Sequence, residues 1–145
     1  MRRKISFSVV VFFAVAVLAG VAFAAPNMEE GKWEIKGEMK LEGMPFPMPA
    51  MQVNFTQCLT KKDMVPQQKD KNQECTTVST KVDGNSVSWV MKCKDKKGRV
   101  TEGTGKMTYK GSTFEGNIHN VTTDAKGQKS ESTMTMNGKR TGDCK

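Results

Sequence analysis

The sequence predicts an all-β domain, built as an antiparallel up-and-down meander of about seven or eight strands. Curvature would bring the sheet to a half-open or closed barrel, and disulfides would staple it. Three observations predict this. Apolar residues recur with a period of two along most of the chain, the spacing of half-buried strands. Turn residues interrupt that alternation at short, regular intervals, which favours hairpins over βαβ units. Four cysteines lie beyond an N-terminal export signal, a combination that reads as two disulfides in an oxidising compartment.

The first 24 of the 145 residues stand outside the fold argument. Met1-Arg2-Arg3-Lys4 is a positive leader, Ile5 to Val21 is an apolar run, and Ala22-Phe23-Ala24 is the small-x-small pattern cut by signal peptidase. Residues 1–24 are therefore expected to be a cleaved signal peptide and 25–145 a single domain. Val21 stands where a lipidated cysteine would be needed after Leu18-Ala19-Gly20, so no lipid anchor is expected, nor a stable membrane anchor after cleavage. Losing Arg2, Arg3 and Lys4 lowers the net charge from +8 to +5. The remaining 121 residues contain only 15 Leu, Ile, Val and Phe, a level at which folding needs help. Ten methionines, Trp33, Trp89 and Tyr109 add apolar volume, and two disulfides would constrain the unfolded chain.

The strands follow in order. Trp33, Ile35, Met39 and Leu41 alternate with charged residues, with Gly37 in the apolar register. Met51, Val53 and Phe55 repeat the pattern over residues 51–59, and a short helix is expected over 60–67, limited by Pro66. Val78 and Val82 lead into the turn Asp83-Gly84-Asn85, and Val87, Trp89, Met91 and Cys93 return from it. This is the strongest hairpin signal in the chain. Further turns at 95–98, 110–112 and 124–127 separate strands at 99–109, 113–123 and 128–137. Gly103, Gly105 and Gly116 fall inside strands, where glycine often marks a bulge or bend.

Four cysteines allow three pairings. If Val82 faces Val87, then Val78 faces Met91 and Thr76 faces Cys93, leaving Cys75 one residue out of register. A bulge or a frayed end would bring Cys75 to Cys93, which leaves Cys58 and Cys144 to fasten the C-terminus.

Several segments together resemble one family: Gly31-Lys32-Trp33-Glu34, a Met/Pro stretch before Gln57-Cys58-Leu59-Thr60, Asp83-Gly84-Asn85-Ser86-Val87-Ser88-Trp89 running into Cys93, Thr104-Gly105-Lys106-Met107-Thr108-Tyr109, and Gly138-Lys139-Arg140-Thr141-Gly142-Asp143-Cys144. The combination resembles the small secreted bacterial proteins of domain-of-unknown-function family 3617, over nearly the whole exported part. The resemblance implies export in a Gram-negative bacterium, hence the periplasm, and implies no activity or catalytic residue.

The residues themselves give little support to catalysis. A lone His119 excludes sites built on two imidazoles, and no nucleophile motif accompanies it. No glycine-rich phosphate loop is present, and nucleic acid is not an expected partner. The expectation is a non-enzymatic domain without a cofactor, binding an apolar ligand or an envelope partner through Trp33, Met44, Phe46, Met48, Met51, Phe55 and Trp89. The opposing reading makes Trp33, Trp89 and Phe55 simply the core. Met44, Met48 and Met51 in the Met/Pro segment 44–51 form an alternative soft-metal set for Cu(I). A purely structural or protein-interaction module is the remaining alternative. Lys92, Lys94, Lys96, Lys97 and Arg99 gather near one hairpin tip, as a guarded edge or as a contact for an anionic surface.

Overall fold

The computed structural model describes residues 25–46, 48–65 and 71–145; the expected signal peptide lies outside them. Seven strands form one antiparallel sheet: β1 (Gly31–Glu42), β2 (Met51–Leu59), β3 (Gln73–Asp83), β4 (Ser86–Asp95), β5 (Val100–Tyr109), β6 (Thr113–Thr123) and β7 (Lys129–Gly142). Their order is β2-β1-β7-β6-β5-β4-β3. From β3 to β7 each strand pairs with the next in sequence, and β7 then closes against β1. The barrel is not completed: β2 and β3 remain as two edges.

Such a sheet has no second layer to cover its apolar face, so the face must be buried by the sheet's own curvature. The buried core combines Trp33 and Ile35 of β1, Leu59 of β2, Val87, Trp89, Met91 and Cys93 of β4, Met107 and Tyr109 of β5, and Phe114 of β6. The Trp33 and Phe114 rings lie 5.4 Å apart, and those of Tyr109 and Phe114 5.8 Å apart in an edge-on arrangement, distances at which aromatic pairs attract beyond their area burial. Met28 closes the same end of the core, where Glu29 and Gly111 are linked by a backbone hydrogen bond of 3.1 Å. The Trp33 indole N–H donates to the Glu29 carbonyl at 3.1 Å.

Strand glycines make this core possible. Gly138 on β7 lies opposite Phe114 and Ile35, and a Cβ there would come within 2.2 Å of the Phe114 ring. The ring therefore crosses β7 towards β1. Gly105 on β5 plays the same part for Trp89, whose indole would meet a Cβ at 2.2 Å. Gly103, Gly105 and Gly116 were expected to mark bulges or bends. The register runs unbroken through Gly103, Gly105 and Gly116, because the missing side chain is replaced by a neighbour's.

The register shift in the β3–β4 hairpin falls between Thr77 and Ser79. Val82 faces Val87 as expected, but the extra residue Val78 moves Thr77 opposite Met91 and Cys75 opposite Cys93. Disulfides join Cys75 to Cys93 and Cys58 to Cys144. β7 runs on to Gly142, five residues past the expected end, since Gly138 is a packing seat within the strand and not its terminus. Of the expected helix the described residues form one 3₁₀ turn, Lys61–Asp63, whose start is held by a capping box between Thr60 and Asp63; residues 66–70 lie outside the described part.

Two outcomes test this account. Gly138→Ala should lower stability by about 1–3 kcal/mol through overpacking against Phe114, whereas Gly142→Ala, which meets nothing within 4 Å, should change it by less than about 0.5 kcal/mol; urea midpoints measure both. Replacing Cys58 and Cys144 by serine opens a link of sequence separation 86 and should cost roughly 4 kcal/mol, read in the same way.

Candidate functional site

The seven residues proposed for ligand contact divide into two groups. Trp33 and Trp89 are 0% and 2% exposed and sit inside the core. Met44, Phe46, Met48, Met51 and Phe55 are exposed, Phe46 at 62%. Phe55 faces Ile35 and Met51 faces Met39, so both lie on the apolar face of the sheet. They stay open because β2 is an edge, with no strand beyond it to extend the curl. Met44 and Pro45 sit where the β1–β2 loop meets other loop ends. There they line an open depression of about 950 Å³ together with Arg99, Thr122, Asp124, Gln128 and Lys129.

Two other recesses differ in chemistry. On the outward face, Lys36, Glu38, Gln52, Lys106, Asn117 and Thr135 line an open trough of about 730 Å³. These residues come from five adjacent strands and stand in register: Gln52 faces Glu38, Glu38 faces Thr135, Thr135 faces Asn117 and Asn117 faces Lys106. Sequence reading treated them as solvated, and only their neutral Gln, Asn and Thr content could have drawn notice. On the apolar face a recess of about 90 Å³ lies beside Met91, Cys93, Gly103, Ile118 and Asn120. That volume suits a few waters and falls well below that of a drug-sized ligand site.

The two edges differ in their protection. β3 carries Glu74, Lys81 and Asp83 and the irregularity at Val78, devices that discourage further strand pairing. β2, Met-Gln-Val-Asn-Phe-Thr-Gln-Cys-Leu, contains no charge and no proline. It offers a backbone edge of the kind that accepts an added strand.

The basic cluster is partly neutralised. Arg99 Nε donates to Asp95 Oδ2 at 2.6 Å, and this hydrogen bond holds the Asp95 carboxyl below its usual range. Asp95 also accepts from the backbone N–H groups of Lys97 and Arg99, closing the β4–β5 turn. Lys92 donates to Glu102 at 2.9 Å, which lowers the Glu102 pKa. Lys94, Lys96 and Lys97 are exposed. His119 lies on the outward face between Thr104 and Thr133, with Nε2 3.2 Å from Glu131 Oε2. Among the described residues no three His, Cys, Asp or Glu side chains gather as metal ligands, and no helix is long and apolar enough to cross a membrane.

A family model described as a protein of unknown function, DUF3617, matches residues 28–144. The chain belongs to this family. No curated protein and no solved structure matches it. The matched span of this DUF3617 chain starts at Met28, which closes the core, and ends at Cys144, which fastens the C-terminus to β2. It thus holds both disulfides, which are the mark of an oxidising environment.

Tyr109 reports on the closure of the core in this DUF3617 chain. Its hydroxyl donates to the Met64 carbonyl at 2.9 Å and so holds the segment after the 3₁₀ turn over the aromatic cluster. Burial, with a smaller contribution from Asp63, pushes its pKa up to about 12. The folded state thus keeps the phenol proton more tightly than the unfolded chain. This raised pKa has no effect on stability below about pH 10, and stability is lost as pH rises from 10 towards 12, by about 3 kcal/mol in all. Tyr109 is the only tyrosine, so tyrosinate absorbance at 295 nm should titrate near pH 12 in the native protein and near pH 10 in urea.

Proposed function

We propose that this chain is an exported, non-enzymatic binding domain of the Gram-negative periplasm, released from a signal peptide spanning residues 1–24, and that it takes an apolar ligand at the rim of its open sheet. The observation that carries this reading is the exposed run of Met44, Phe46, Met48 and Met51 beside the open depression that Met44 and Pro45 share with Arg99 and Lys129. A core that already encloses Trp33 and Trp89 has no use for these side chains in packing. An apolar surface left open at a loop cluster is a binding feature more often than a stability feature. Lys129 supplies a cation for a ligand with an acidic head group and an apolar chain, while Arg99 is already paired with Asp95, and Asp124 lines the same depression. A non-catalytic His119 is supported by its ring meeting the Glu131 carboxylate, with neither flanking threonine hydroxyl hydrogen-bonded to it among the described contacts.

A second reading is favoured by one specific feature, the uncharged β2 edge. Here the ligand is an envelope protein that adds a strand to β2, with Met51 and Phe55 as side-chain anchors.

A fluorescent fatty acid tests the first reading. The protein should bind the probe, and Met44→Ser combined with Phe46→Ser should weaken binding at least tenfold without changing the urea midpoint. Folded, disulfide-intact protein that leaves the probe free would overturn it. Native mass spectrometry of protein released gently from periplasm should show the natural ligand as a retained adduct of defined mass.

A further inference from the structure

The register places three thioethers in one row across three adjacent strands. Met51 on β2 faces Met39 on β1, and Met39 faces Met134 on β7. All three belong to the apolar face, in phase with Trp33 and Ile35. Directly opposed residues in an antiparallel sheet carry Cβ atoms about 4.5–5.5 Å apart. Three long, unbranched side chains therefore start within reach of a common point.

Solvent reaches that point. Met51 is 41% exposed at the open edge, and Met39 and Met134 are half-buried. Met28, Met91 and Met107 are different: they are buried in the aromatic core and act as packing. Met134 leans towards the gap left by Gly37, where a Cβ would lie 3.1 Å from its Cε and 3.0 Å from Val53 Cγ2. The Met134 methyl thus seats over Gly37, in the row next to its own, and its thioether stays on the open side of the sheet.

The chemistry of the row selects its ligand. The apolar-face positions flanking it on these three strands are Gly37, Leu41, Val53, Ser132 and Met136, none of which carries a carboxylate or an imidazole. Hard cations such as Mg²⁺ or Ca²⁺ find no anionic oxygen there. Neutral, polarisable sulfur donors select soft ions, Cu(I) foremost. Both cysteine pairs are closed as disulfides and leave no thiolate to compete. We propose that Met39, Met51 and Met134 form a Cu(I) site on the open side of the sheet. It differs from the sequence-adjacent set Met44, Met48 and Met51, of which only Met51 belongs to a strand.

The test is an anaerobic titration of the disulfide-intact protein with Cu(I) against a bicinchoninate competitor, with the methionine methyl resonances followed by NMR. One equivalent should bind, and the methyl signals of Met39, Met51 and Met134 should move together. Leucine conserves volume at such positions, so Met39→Leu, Met51→Leu and Met134→Leu together should weaken binding at least a hundredfold. Met51→Leu alone, at the exposed edge and least able to disturb folding, should weaken it at least tenfold. Met44→Leu with Met48→Leu should leave it within twofold. Failure to take Cu(I) from the competitor, retention of binding in the row variants, or its loss in the loop variant would each overturn the proposal.

Discussion

The structure depends on aromatic rings lying across glycines. A single sheet exposes two faces, and with few aliphatic side chains available the apolar one is covered by reaching over neighbouring strands. Phe114 does this from β6 across Gly138, and Trp89 from β4 across Gly105. Each ring spans a strand that offers no side chain of its own, so residues two strands apart join one core. Without those gaps the rings would stand upright, the curl would open, and Trp33 and Tyr109 would lose the neighbours that keep them dry. The disulfides act on a different quantity, limiting the freedom of the unfolded chain.

Much of this was legible in the residues. Period-two alternation and the turn residues place all seven strands, and the cysteine pairs follow from hairpin register once a bulge is admitted. Val78 is the residue that supplies it. Alternation cannot distinguish a glycine that bends a strand from one that seats a ring, which is why β7 runs longer than expected. The same limit applies to the methionines. Sequence proximity suggested Met44, Met48 and Met51. Met39 and Met134 are 95 residues apart in sequence and meet only because β7 returns to β1. Long-range pairing of this kind carries no local signal.

The two edges show how charge placement divides one sheet into a guarded side and an open one. β3 combines charged residues with an irregular register, while β2 is neutral, regular and preceded by an exposed Met/Pro segment. The open strand edge and the thioether row belong to the β1–β2 side of the molecule, and the rim depression lies where the β1–β2 loop meets the β6–β7 turn. The aromatic core, by contrast, is closed by Met28 and by the segment that Tyr109 holds.

The pairing of β1 with β7 has a consequence for the order of folding. β1 and β2 come first in the chain, yet the strand that completes β1 is β7, the furthest from it in sequence among the described strands. The stretch from β3 to β6 can zip up hairpin by hairpin, each step closing a short loop. β1 has β2 on one side and must wait for the far end of the chain on the other. Closing so long a loop is slow, and a half-paired strand is exposed in the meantime. The docking of β7 therefore decides when the molecule becomes a finished sheet, and a chain cut short before β7 would leave Trp33 with an open flank.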